Sequence, residues 1–285
     1  MSSPHCVWSL RARLGEGPLW RAADNAIYFV DIKAPAVHRY RLSDGVGDSW
    51  TMPEAIGWLI PRNSGAGFIA GLRRTISSLS LEPLEISPLC EPEPERPNNR
   101  RNDAKADRWG RIWFGSVDEA ELEDSGALYR LDADLRCSRV DDGYGVSNGP
   151  TFSPDHSILY HTDSPRRVVY QFDLSSDGQL RNKREFVRFN DEWGYPDGMT
   201  TDSEGGVWIA HWDGARISRF TPDGALDRSI AMPVARPTSC AFAGPELDRM
   251  FVTSASIGCE DDPLAGGLFE VDPGVRGTPV YGFAG

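Results

Sequence analysis

Six short apolar runs recur along the chain, beginning at Ile27, Phe68, Ile112, Leu159, Val207 and Met250. The segments leading into them are turn-like and rich in Gly, Asn or Asp, as in Asp24-Asn25-Ala26, Asp107-Arg108-Trp109-Gly110 and Asp202-Ser203-Glu204-Gly205-Gly206. Gly and Asn tolerate positive φ, and the β-branched and aromatic residues that follow favour strands, so each unit predicts a turn and a strand. Further strands follow at Val37–Leu42, Gly126–Asp132, Val168–Leu174, Ile217–Phe220 and Leu268–Asp272, most of them alternating between apolar and polar residues. No stretch has the apolar spacing of a three-turn amphipathic helix.

The runs are spaced 41, 44, 47, 48 and 43 residues apart. Spacings of roughly 40 to 50 residues suit propeller blades of four strands each. The predicted fold is an all-β, six-bladed propeller forming one domain over residues 1–285. The final repeat is too short for four strands, while Cys6–Leu10 is a spare strand-like segment at the other end. Pairing of the two closes the ring and removes exposed sheet edges. The Pro- and Glu-rich stretch 82–99 lies within the repeat spacing and reads as loop and short strand between blades two and three.

Four runs carry a polar residue 10 or 11 positions upstream: Glu16, Asn102, Asn148 and Asp197. Small residues stand beside them in Gly15-Glu16-Gly17, Asn102-Asp103-Ala104, Asn148-Gly149 and Asp197-Gly198. Equivalent positions of a closed repeat converge on its axis, so these side chains are expected to meet at one mouth of the channel. Taken singly, Asp197, Asn148 and Asn102 also read as turn residues, whereas Glu16 is poor turn material. Two carboxylates with amide oxygens suit a hard divalent cation such as calcium, magnesium or manganese, and carboxylates also serve zinc and ferrous iron.

Net charge is -12, which disfavours nucleic acid and anionic membranes as partners. The N-terminus lacks the basic and apolar regions of a leader, and no apolar stretch approaches bilayer length, so a cytoplasmic protein is expected. The 5 cysteines contain no C-x-x-C pair, which fits reduced thiols. Gly145-Val146-Ser147-Asn148-Gly149 matches a serine-nucleophile pattern, but that pattern needs a following helix, and Pro150 and another strand follow instead. His161 and His211 fall in strand runs and read as core or channel-wall residues. Lys33 and Lys105 read as solvent-facing or hydrogen-bonded near blade ends.

The motifs Leu14-Gly-Glu-Gly-Pro18, Asn102-Asp103, Ser147-Asn-Gly149 and Pro196-Asp-Gly198 resemble, in order and spacing, the SMP-30/gluconolactonase/regucalcin-like family. The segments Tyr28–Lys33, Asn98–Ala104, Tyr160–Asp163 and Leu264–Phe269 are similar to its bacterial xylonolactonase and arabinonolactonase members. The resemblance implies a six-bladed propeller holding one divalent metal ion, with Glu16, Asn148 and Asp197 as ligands. It implies that Asn102 contacts substrate or water at the metal and that Arg100 binds substrate. Asp118 or Glu119 lies nearest the family's acidic substrate contact, and Glu119 is taken for it. Ala104 departs from the glycine of many members. The implied activity is hydrolysis of a pentono- or hexonolactone to its aldonate, with Asp197 as catalytic residue and a small sugar lactone bound by a monomer or weak oligomer. Arg100, Tyr144, Trp193 and Tyr195 are expected to line the mouth. A non-catalytic calcium- or ligand-binding propeller and an ester or phosphotriester hydrolase are the alternatives.

Overall fold

A computed structural model describes residues 3–64 and 67–285. Met1 and Ser2, where the leader reading begins, lie outside the described residues. The described residues form six four-stranded antiparallel sheets arranged as propeller blades. The innermost strands of blades 1 to 6 are Gly15–Arg21, Ile56–Pro61, Asn99–Ala106, Ser147–Phe152, Tyr195–Thr201 and Pro237–Ala243. Each touches the innermost strands on either side, so together they wall an axial channel. The predicted apolar runs form the second strand of each blade. His5–Trp8 pairs antiparallel with Leu268–Val271, with Cys6 opposite Phe269, and supplies the outer strand of blade 6. The ring therefore closes as the sequence predicts. The 82–99 stretch contributes the outer strand of blade 2, Leu84–Cys90, and then a loop into blade 3.

The core is divided into six apolar layers, one between each pair of neighbouring blades. A second strand thus has a blade packed on both faces, which is why Ala26–Asp31, Ile112–Asp118 and Val207–Ala210 are buried throughout rather than alternating. The turns leading into these strands use the residues chosen for positive φ: Asn25 at 49°, Gly110 at 79° and Gly205 at 86°. In blades 3 and 5, Asp107 and Asp202 accept turn N–H groups and the indole N–H of Trp113 and Trp208, each at 2.8 Å. Among the described residues, no helix is long and apolar enough to cross a membrane.

All six innermost strands slip register against their neighbour near one mouth of the channel. Glu16, Asn102 and Asn148 are each the last paired residue before the slip, and Asp197 lies within it. Such a bulge inserts an unpaired residue and re-aims the side chain beside it. The next residue has positive φ in three cases: Gly17 at 56°, Asp103 at 28° and Gly149 at 38°. Gly149 has a second reason to be glycine, because a Cβ there would stand 2.9 Å from the backbone nitrogen of Met199 in blade 5. The glycines flanking the polar positions therefore shape the bulges and let inner strands touch.

Candidate metal and substrate site

The inner strands gather Glu16, Arg100, Asn102, Asn148 and Asp197 around one cavity of about 230 Å³. A chain of hydrogen bonds runs across three blades. Arg100 donates to Asn102 Oδ1 at 2.5 Å, and Asn102 Nδ2 donates to Asn148 Oδ1 at 2.5 Å. Asn148 Nδ2 then donates to Ser164 Oγ at 2.9 Å, and that hydroxyl donates to the Pro196 carbonyl at 2.7 Å. The relay ends one residue before Asp197. It sets which end of each amide is oxygen, so the Asn102 and Asn148 oxygens both point along the chain toward their donors.

Glu16 and Asp197 are buried in this cavity. Burial pushes the Glu16 carboxyl well above its usual range, and the charges of Asp197 and Asp103 add to the push. Asp197 is raised likewise, first by burial and then by Asp103 and Glu121. Arg100 is the cation facing them, and burial pulls its own value down. Two buried carboxylates repelling one another, beside an amide oxygen, form the donor set a hard divalent cation would relieve. The residues present therefore fit such an ion.

The family description SMP-30/Gluconolactonase/LRE-like region matches residues 14–256. The chain belongs to the SMP-30/gluconolactonase family. It is 35% identical over 288 residues to 6-deoxy-6-sulfogluconolactonase of Pseudomonas putida, covering 98% of both chains. It is 35% identical over 283 residues to L-arabinolactonase of Azospirillum brasilense, covering 96% of this chain and 93% of that one. Its fold matches a calcium-binding regucalcin from Agrobacterium tumefaciens with a TM-score of 0.91 at 21% identity, over 99% and 97% of the two chains.

In this member of the SMP-30/gluconolactonase family, Glu119 is not among the residues lining the cavity. Its carboxylate is held by Lys33 at 2.6 Å, with Arg73 at 3.8 Å and Arg100 at 3.9 Å. Glu121 lines the cavity instead, 3.6 Å from Arg100. Ser164 and Trp212 also line it, as does Tyr195, the predicted mouth aromatic. Sequence reasoning missed Glu121 because it sits in a loop outside any strand period. Ser164 follows directly on the Tyr160–Asp163 run, which was its only signal. Two expected mouth residues pack between blades: Tyr144 against His161 and Tyr170, and Trp193 against Phe189, His211 and Phe220.

Ser147 sits fully buried inside an inner strand, its hydroxyl 2.8 Å from His161 Nε2. Among the described residues His161 Nδ1 has no partner, so none of their acids orients the imidazole, and burial lowers its pKa to about 3. The pair is a core contact, not a nucleophile and base. His211 is likewise buried, its Nδ1 beside the Trp193 carbonyl at 2.8 Å. Lys33 makes the ion pair already described. Lys105 differs from its predicted place at a blade end, because it reaches across the channel to blade 5.

Proposed function

We propose that this chain is a divalent-metal-dependent lactonase that hydrolyses a pentono- or hexonolactone to the aldonate. The observation that carries the reading is the convergence of Glu16, Asn102, Asn148, Asp197 and Arg100 on one cavity from separate blades. Glu16, Asn148 and Asp197 would hold the ion. When bound, the ion would supply Lewis-acid polarisation of the lactone carbonyl.

The protein's own groups account for the rest. Arg100 is a fixed donor for sugar hydroxyls, the Asn102 carbonyl oxygen can accept from one, and Glu121 is an acceptor at the mouth. Asp197 is a carboxylate whose pKa burial raises, which strengthens it as a general base. Water attacks the carbonyl carbon while Asp197 takes its proton. The ring C–O bond then breaks, and the same proton passes to the departing ring oxygen. The product is the open acid, its carboxyl carrying the water oxygen and the original carbonyl oxygen, with the former ring oxygen as a free hydroxyl; ionisation of the acid gives the aldonate.

The test is a lactone panel assayed with chelated protein and again after adding back Mn²⁺, Ca²⁺, Zn²⁺ or Fe²⁺. Hydrolysis of sugar lactones that vanishes on chelation and returns with one of these ions supports the proposal. Turnover of aryl esters or phosphotriesters alone would contradict the substrate class.

A further inference from the structure

Beneath the proposed metal site, the chain holds a half-buried ammonium group that the hydrolytic step does not use. Lys105 lies three residues past Asn102 on the innermost strand of blade 3. Its Nζ donates to the Met199 carbonyl at 3.1 Å and to Thr200 Oγ1 at 3.3 Å. Both acceptors belong to the innermost strand of blade 5, so the side chain passes blade 4 and spans the channel. Between them, Asp103 Oδ2 accepts the N–H of Gly149 in blade 4 at 2.9 Å, and Oδ1 accepts the N–H of Ala104 at 2.9 Å. One tetrapeptide, Asn102–Lys105, thus fastens itself to both strands that bear Asn148 and Asp197.

We infer that Lys105 is a positioning residue, a cross-channel brace that with Asp103 sets the spacing of Asn102, Asn148 and Asp197 from below. The inference rests on the lactonase reading for the purpose of that spacing. The brace also partitions the channel. Asn102, Asn148 and Asp197 line the cavity above it, while Asp103, Lys105, Met199 and Thr200 line a second, smaller cavity of about 80 Å³ below. Lys105 gives its hydrogen bonds to two neutral acceptors; burial lowers its pKa, and the nearby charge of Asp103 opposes that fall. An apolar side chain of equal length would fill the space without that cost, but would leave blades 3 and 5 untied.

The experiment uses the whole protein and two variants, Lys105→Met and Thr200→Val. The first removes both cross-channel bonds, and the second removes one acceptor while keeping its shape. Two quantities are read on folded, metal-free protein: the Mn²⁺ dissociation constant, by electron paramagnetic resonance, and the side-chain amide signals of Asn102 and Asn148, by NMR. Lys105→Met is expected to weaken Mn²⁺ binding about tenfold or more, the size seen when groups that orient metal ligands are lost. It is also expected to broaden or shift both amide signals. Thr200→Val should move both readouts the same way by a smaller factor, and it decides the matter if Lys105→Met does not fold. A variant that melts earlier yet keeps the wild-type Mn²⁺ constant and amide signals overturns the brace. If the wild-type protein takes up no Mn²⁺, the metal reading fails and the amide signals alone decide. Unchanged signals in Lys105→Met then overturn the brace, and altered signals support it.

Discussion

The two halves of the axial channel are walled by the same innermost strands and differ in what those strands present. The upper half holds Glu16, Asp197 and Glu121 against one arginine, around amides locked in a relay. The lower half is lined by Trp20, Trp58, Ile60, Phe152 and Phe242, with Asp103 and Lys105 as its charged groups. The register slip separates them. Residues before or within it turn polar side chains into the mouth, and residues after it resume ordinary strand alternation and fill the ring. The halves teach that charge is concentrated where the backbone is irregular, and that apolar packing dominates where the ladder is regular.

The contrast breaks most sharply at Asp197. Asp197→Asn is expected to lower lactone kcat/KM by about 10³-fold, or about 4 kcal/mol. The same change removes one of two repelling buried carboxylates, so the metal-free variant should melt above wild type. A variant that keeps full activity contradicts the assignment. In the lower half the signs reverse. Trp58→Ala removes a buried indole and should cost about 3–5 kcal/mol of stability in denaturant titrations, while leaving the folded fraction's KM within about twofold.

The mouth carboxylates should also part from the buried histidines of the blades with pH. Burial lowers the pKa of His38, His156 and His211 to about 4 and of His161 to about 3. A histidine with a depressed folded value resists the proton that the unfolded chain accepts, so its stabilisation is present above pH of about 6.5 and is lost as pH falls toward the folded value. Each such group costs about 1.4 kcal/mol per pH unit within that window. Glu16 and Asp197 act in the other direction, since their folded values are raised. The metal-free protein should therefore lose stability as pH rises above about 4 through the raised carboxylate values. A divalent cation should restore more melting temperature at pH 8 than at pH 5. An equal restoration at both would remove the carboxylates from the ion's ligand set. The smallest effect is expected at Glu121, half exposed at the mouth. Glu121→Gln should raise lactone KM by about threefold with kcat unchanged, in keeping with a partly solvated polar contact.

Much of this arrangement was legible in the chain. The apolar runs at Ile27, Ile112 and Val207 mark second strands because packing on both faces leaves them no polar side. Counting back from those runs and from the one at Leu159 reaches Glu16, Asn102, Asn148 and Asp197 because bulges recur at the same depth in these blades. Less was legible where position depends on contacts distant in sequence. Glu121 and Glu119 are two residues apart in a loop, and only the folded chain separates the cavity-lining group from the one held by Lys33. Lys105 read as a blade-end lysine because strand alternation says nothing of a side chain long enough to cross the channel. Tyr144 and Trp193 are aromatic residues near turns, and inter-blade packing claimed both.

The central claim is that side chains from separate blades hold one divalent ion where a sugar lactone is opened. The most direct measurement is a titration of chelator-stripped protein with Mn²⁺, following ion uptake and the acid released from a pentonolactone in the same sample. The account predicts one tight site per chain, with hydrolysis rising in proportion to its filling and both lost in Asp197→Asn. Full-rate hydrolysis in excess chelator, or ion binding that survives in Asp197→Asn with wild-type affinity, would contradict it.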